Sequence, residues 1–355
     1  MAYLPLSTAN LPDPVIDPAT GSSPEDHFNT VLYTGNGVDG RNITGVGFDP
    51  DFVWIKSRSL ATSHLLNDVI RGGNATLFSE ATYAETANNG GGYLSGFVTD
   101  GFSVTSGSSG DNAVNNTGST YASWNWKANG SGVTNTDGSI TSTVSANTTS
   151  GFSIITYTGN GTNGATVGHG LSQAPEFVIV KPRNQAENWN VQTQGLRLNL
   201  NLTGAGVANY LMGFGASTVT LTDLTYQNGN GYDMLMYAFH SVEGFSKFGS
   251  YVGNGSTDGP FVYTGFRPAW ILWKRTDAAQ EWHIMDVERN TYNPLGKDLW
   301  PPHSSAEYDY GTVVDYTSNG FKLRTSSVIA NASGGTYIYM AFAEDGGAFK
   351  YSLAR

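Results

Sequence analysis

The sequence predicts an all-β fold: tandem antiparallel β-sandwich repeats behind an extended N-terminal arm. Three observations predict it. The 355 residues include 45 Gly, 30 Asn, 37 Thr and 33 Ser, while only 13% are Asp, Glu, Lys or Arg, against about 25% in an ordinary soluble domain. Aromatic residues reach 12%, which suits β cores and is too many for a disordered chain. One succession of strand and turn signals occurs three times, the mark of a repeat architecture. A helical bundle would need Ala, Leu, Glu and Lys in quantity, and the chain lacks them.

The arm, residues 1–27, comes first. Pro5, Pro12, Pro14, Pro18 and Pro24 fix φ and remove backbone donors, so this stretch makes neither a central strand nor a stable helix. It reads as an extended docking arm of polyproline character. Leu4, Leu6, Leu11, Val15 and Ile16 supply its apolar contacts to a partner. It lacks the basic start and continuous apolar run of a secretory signal.

The first unit spans 28–130, the second 148–243 and the third 244–355, with 131–147 read as a polar linker. Each unit opens on a strand that ends in a glycine turn: VLYTGNG at 31–37, ITYTGNG at 155–161 and GSYVGNG at 249–255. The GNG triplets supply the φ > 0 residues of tight turns. Next comes a Pro and an apolar strand ending in cations: PDFVWIKSR at 50–58, PEFVIVKPR at 175–183 and PAWILWKR at 268–275. These runs are continuous rather than alternating, as in strands covered on both faces. Trp54, Val178, Ile179, Trp270 and Trp273 should therefore be core. The recurring cations (Lys56, Arg58; Lys181, Arg183; Lys274, Arg275) should pair at a strand end with carboxylates or carbonyls of a neighbouring unit or subunit. A third block (SHLLNDV at 63–69, NWNVQ at 188–192, EWHIMDV at 281–287) precedes a closing aromatic strand (TYASWNWKA at 120–128, GYDMLMYAFH at 231–240, TYIYMAFAE at 336–344). About 100 residues with six to eight short strands fit an antiparallel sandwich or jelly roll. The polar joint at 128–151, a linker or an extended strand-like connector, makes the first unit the more independent one. The second and third run together without a linker and should pack rigidly.

The formal net charge of −11 argues against a nucleic-acid partner, which needs clustered cations, and against an anionic membrane surface. No run approaches the roughly 20 apolar residues of a membrane span. The absence of Cys excludes disulfides, thiol catalysis and thiolate zinc. The six His form no HxH or HExxH pattern, so neither a metal nor a cofactor is expected.

Two places could carry chemistry. Glu281 and His283 share one face of a strand, with Asp286 close by, and could act as acid and base. The matching blocks carry His64 without a preceding acid and Asn190, so the position reads as a polar sheet face and the chain is not expected to be an enzyme. The 290–311 loop holds Trp300, His303, Glu307, Tyr308, Asp309 and Tyr310 and reads as an insertion specific to the third unit. Rings stack on sugar faces and carboxylates accept hydroxyl hydrogens, so these six residues are the candidate glycan or host contact.

Taken together, FNTVLYTGNG, GVGFDPDFVWIKSRS, YASWNWKANG and GHGLSQAPEFVIVKPR resemble a family of uncharacterised repeat domains in tail-fibre and virion proteins of tailed bacteriophages, especially those of marine bacteria. The resemblance covers nearly all of 28–355. It implies concanavalin-like sandwiches on a particle assembled in the host bacterial cytoplasm. The implied role is structural: a tail fibre or receptor-binding protein, held to other tail or capsid proteins by residues 1–27, homotrimeric as fibres usually are, and touching host surface glycan. A capsid decoration or head-fibre protein is the alternative, and a glycan depolymerase a more distant one.

Overall fold

The computed structural model describes Ile16 and residues 22–109, 113–193 and 195–344. The first unit contains β1 (Phe28–Thr34), β2 (Arg41–Thr44), β3 (Phe52–Ser57), β4 (Leu65–Asp68), β5 (Ala75–Thr76), β6 (Thr86–Ala87), β7 (Tyr93–Val98), β8 (Gly101–Thr105) and β9 (Thr120–Trp126). A hairpin, β10 (Val133–Asn135) and β11 (Ser142–Asn147), leads into the second unit. That unit has β12 (Phe152–Thr158), β13 (Thr166–Gly168), β14 (Phe177–Pro182), β15 (Asn190–Thr193), β16 (Leu196–Asn199), β17 (Gly213–Phe214), β18 (Thr218–Thr220) and β19 (Asp233–Phe239). The third has β20 (Ser246–Val252), β21 (Phe261–Tyr263), β22 (Pro268–Arg275), β23 (Trp282–Asp286), β24 (Leu295–Asp298), β25 (Tyr308–Thr317), β26 (Gly320–Leu323) and β27 (Thr336–Ala343).

Each unit is an antiparallel sandwich of an inner and an outer sheet. The inner sheets share one order: β1-β9-β3-β4, β12-β19-β14-β15 and β20-β27-β22-β23. Their registers coincide too, with Trp54 opposite Trp124, Ile179 opposite Tyr237 and Leu272 opposite Met340. The outer sheets are β2-β8-β7, β13-β18-β17 and β21-β26-β25-β24. Alternation along the inner strands sends one set of side chains, such as Ile55, Ile155 and Trp273, into the unit's own sandwich core.

The other set meets at the centre of the molecule. Phe52, Trp126, Phe177, Phe239, Trp270 and Phe342 belong to a single core shared by all three units. One ring pair marks each junction: Phe52 and Tyr237 (4.4 Å), Phe177 and Trp282 (6.4 Å), Phe28 and Phe342 (4.9 Å). β3 and β14 are therefore buried at every position, which accounts for their continuous apolar sequences. Each such ring contributes on the order of 2–3 kcal/mol when covered, and each inner sheet finds that cover only on its two neighbours.

Three expectations change here. The first unit is not the independent one: its Phe28 and Phe52 pack against the third and second units. Of the two readings of the polar joint, 131–147 takes the strand-like one rather than that of a linker. It forms β10 and β11, which pair onto the edge of β12; an edge strand of Ser and Thr needs little apolar sequence, and its Val144 enters the second unit's core. Of the five arm residues, Leu4, Leu6, Leu11 and Val15 lie outside the described residues, whereas Ile16 is buried in the shared core of its own chain.

Candidate functional site

Three seams join the units, and each is built the same way. After its third inner strand, every unit sends an extended strap onto the next: 77–86 onto the second unit, 199–207 onto the third and 299–308 onto the first. Trp189 Nε1 donates to the Phe78 carbonyl (2.8 Å) and Trp282 Nε1 to that of Asn199 (2.9 Å). At the third seam His64 stands where the others have Trp. Its Nδ1 accepts from Trp54 Nε1 (2.9 Å), which leaves Nε2 to donate to the Trp300 carbonyl (3.0 Å). Burial holds this imidazole well below its ordinary pKa, and the neutral tautomer suits both bonds.

The recurring lysines are fully buried. Each Nζ donates to the carbonyl one residue on, Ser57, Pro182 or Arg275, at 2.7 Å. Lys181 and Lys274 also reach across their seams to the carbonyls of Thr82 (3.3 Å) and Thr203 (3.0 Å). Burial lowers their pKa values to about 7 for Lys56 and about 8 for Lys181 and Lys274.

Two seams are closed by matching charge networks. Between the first and second units, Arg71 pairs with Asp68 (2.5 Å) and Glu85 (2.9 Å), Glu85 pairs with Arg183 (2.8 Å), and Tyr237 donates its hydroxyl to Asp68 (2.8 Å). Between the third and first, Arg289 pairs with Asp286 (2.6 Å) and Glu307 (3.2 Å), Glu307 pairs with Arg58 (2.9 Å), and Trp124 Nε1 donates to Asp286 (3.0 Å). The side chains of Arg71, Asp68, Arg289 and Asp286 are fully buried. Burial pushes the Glu85 and Glu307 carboxyls up, but their paired arginines outweigh it and hold both below the usual carboxylate range.

The seam between the second and third units has lost every member of that network. By strand register and strap bonding, Thr193 replaces the Asp, Leu196 the Arg, Thr276 the second Arg and Met340 the Tyr or Trp. Gly206 replaces the Glu: its N–H donates to the Thr276 carbonyl (2.8 Å), as those of Glu85 and Glu307 donate to Arg183 and Arg58. A Cβ on Gly206 would lie 2.6 Å from Leu196 Cδ1, so the leucine covers the place that an Arg–Glu pair fills elsewhere. Beside these residues opens a cleft of about 550 Å³, lined in part by Thr193, Gly195, Leu196, Phe248, Ser250 and Thr276. The corresponding position at the third–first seam, where Thr30 and Glu288 stand in for Phe248 and Gly195, retains only about 30 Å³.

The residues singled out in the 290–311 loop divide. The loop is not an insertion specific to the third unit; its 299–308 part is the third strap, whose counterparts share its path but not its sequence. Glu307 is committed to Arg58 and Arg289. Trp300, Tyr308 and Tyr310 form a ring cluster, with Tyr308 and Tyr310 4.8 Å apart and each 6.4 Å from Trp300; Tyr308 and Tyr310 are 55% and 41% exposed. Asp309, also exposed, accepts from the Gly311 N–H (2.7 Å). His303 Nε2 lies 2.9 Å from Glu281. A larger cleft of about 640 Å³ opens on the first unit between Tyr83, Thr62 and Ser304 of the same strap.

His283 is buried against Trp273, with Nδ1 2.5 Å from Asp298 and Nε2 without a hydrogen-bond partner among the described residues. Among the described residues it forms no hydrogen bond or ion pair with Glu281 or Asp286, and it is fully buried. The seam networks were within reach of the sequence: Asp-Val-X-Arg occurs at 68–71 and 286–289 and fails at 193–196.

The molecule thus defines a class: three β-sandwiches closed into a ring around a common aromatic core. The chain belongs to a family described as a domain of unknown function (DUF7483), matched over residues 23–346, which takes in all three units at once. No curated protein and no solved structure matches it.

Proposed function

We propose that the chain is a structural protein of a tailed-phage virion, a tail fibre or receptor-binding protein whose third unit contacts host surface glycan. The observation that carries this reading is the ring cluster of half-buried Trp300 with exposed Tyr308 and Tyr310, mounted on a strap that the ion pairs of Glu307 fix to the ring. Such rings stack on pyranose faces, and Asp309 beside them is an acceptor for hydroxyls. The 640 Å³ cleft, which the same strap borders at Ser304, adds Tyr83. The repeat resemblance supports the virion setting, a homotrimer and the docking arm.

Adsorption and glycan-array binding test it. Tyr308→Ala with Tyr310→Ala should abolish recognition while leaving the unfolding midpoint unchanged; unaltered recognition rejects this surface. Particles should contain a few to a few dozen copies. Hundreds of copies would mark a decoration protein, and absence from particles ends the virion reading. New reducing ends from host polysaccharide, lost in Asp309→Asn, would identify a depolymerase instead.

A further inference from the structure

The three seams pose the same problem at the edge of each inner sheet, and two of them solve it with chain. At the first–second seam the β10–β11 hairpin pairs onto β12 and reaches the first unit, where a Cβ on Gly132 would lie 3.2 Å from Ile70 Cδ1. At the third–first seam the helical turn Pro24–Asp26 lies against β1. At the second–third seam the matching edge belongs to β20. Its start is capped by Val242, which exchanges both backbone bonds with Ser246, and by Ser241 Oγ, which accepts from Phe248 N–H. In an antiparallel ladder alternate residues turn outward, so Ser250 directs its N–H and C=O away from β27 into the 550 Å³ cleft. A strand edge without a partner among the described residues, beside a cleft of mixed polar and apolar lining, is a template for another strand.

The internal precedent fixes the chemistry of the occupant. β11, sequence STVSAN, is small, uncharged and antiparallel to β12. The longest proline-free run of the arm, Leu6-Ser7-Thr8-Ala9-Asn10-Leu11, is likewise uncharged and shares the Ser-Thr and Ala-Asn pairs of β11, with a leucine at each end. Pro5 and Pro12 bound it, as they would an edge strand. The arm is held by its own chain at Ile16, in the shared core, and near Glu25, at the third–first seam, and neither residue lines this cleft. We propose that the second–third cleft is a strand-acceptor site, and that its occupant is residues 6–11 of a second copy of the chain, added antiparallel to β20. The proposal rests on the reading of residues 1–27 as a docking arm and names its partner surface. Each arm entering the next copy is a head-to-tail contact, which closes into a ring when the rotation allows.

Amide exchange and light scattering on the full chain test it. Ser250 should gain at least tenfold protection as concentration rises and oligomers form. A chain lacking residues 2–12 should stay monomeric with Ser250 unprotected, and a synthetic peptide of residues 4–13 should restore the protection. Ser250→Pro removes the outward N–H and should block assembly, whereas Ser250→Ala should not. Should Ser250→Pro misfold, Leu196→Trp, which fills the cleft, takes its place. Oligomers unchanged by the deletion overturn the proposal. So does protection of Ser250 in a monomer, which would put the chain's own arm in the cleft, and so does a glycan that binds the cleft without protecting Ser250. Virion composition is read separately, so loss of the virion reading and loss of this site are distinguishable.

Discussion

The first–second and second–third seams solve one packing problem by opposite means. Both carry a strap, a buried lysine and a tryptophan bonded to a strap carbonyl. The former adds Asp68, Arg71, Glu85, Arg183 and Tyr237; the latter has Thr193, Leu196, Gly206, Thr276 and Met340 at those positions. The exchange is concerted, as electrostatics requires. A buried pair is near break-even against apolar packing, but one member left alone is strongly unfavourable. What accompanies the loss of all five is room: the cleft opens beside the place where the network would stand.

The comparison breaks most directly by removing one network member. Asp68→Ala leaves Arg71 buried and half-paired and should cost about 3–5 kcal/mol in urea unfolding; a loss under about 1 kcal/mol would mean that the network does not hold the seam. Transplanting the whole uncharged set (Asp68→Thr, Arg71→Leu, Glu85→Gly, Arg183→Thr, Tyr237→Met) should cost less than the single change. A larger loss would show that the cleft, not the charge, separates the seams.

Acid distinguishes them next. Glu85 and Glu307 have folded pKa values below their ordinary 4.5. The unfolded chain therefore takes up protons first, and the stability these groups add, present above pH 4.5, is lost as pH falls through the folded values. As pH falls below 4.5 the strap amides of Glu85 and Glu307 should lose exchange protection while that of Gly206 keeps it; equal loss at all three would sink the distinction. Alkali acts on every seam alike. Lys56, Lys181 and Lys274 titrate near 7–8 when folded against 10.5 otherwise. Between those values the unfolded chain holds more protons, so unfolding midpoints should rise from pH 7 towards 10, and Lys181→Met should flatten the rise. Arg275 pairs with Asp277 within its own unit near the surface (2.8 Å), so Arg275→Ala should cost less than about 1 kcal/mol.

Much of the β architecture was legible, and for identifiable reasons. GNG triplets mark turns, and the continuous runs FVWIK and FVIVK announce burial on both faces. What covers the second face was not legible, because Phe52 or Trp270 reads the same whether its neighbour is a loop or another unit. The straps were hidden for a different reason. They are held through the carbonyls of Phe78, Asn199 and Trp300, and a carbonyl leaves no trace in a side-chain pattern. The hairpin at 131–147 looked like a linker because an edge strand can be made of Ser and Thr. In the candidate site the aromatic residues were recognisable by type, but the role of Glu307 as a seam partner depends on Arg58, 249 residues away, a distance no local motif spans.

A solenoid can lengthen by one repeat or shorten by one, since each repeat needs only its neighbours. This chain cannot. The third strap lands on the first unit, and Phe342 stacks on Phe28, so every inner face is already taken. A fourth unit would have no vacant face to join, and a lost unit would leave two aromatic faces open to water. Gene duplication can therefore lengthen the outer loops but cannot change the repeat number by one, which makes three a fixed quantity of this chain's geometry.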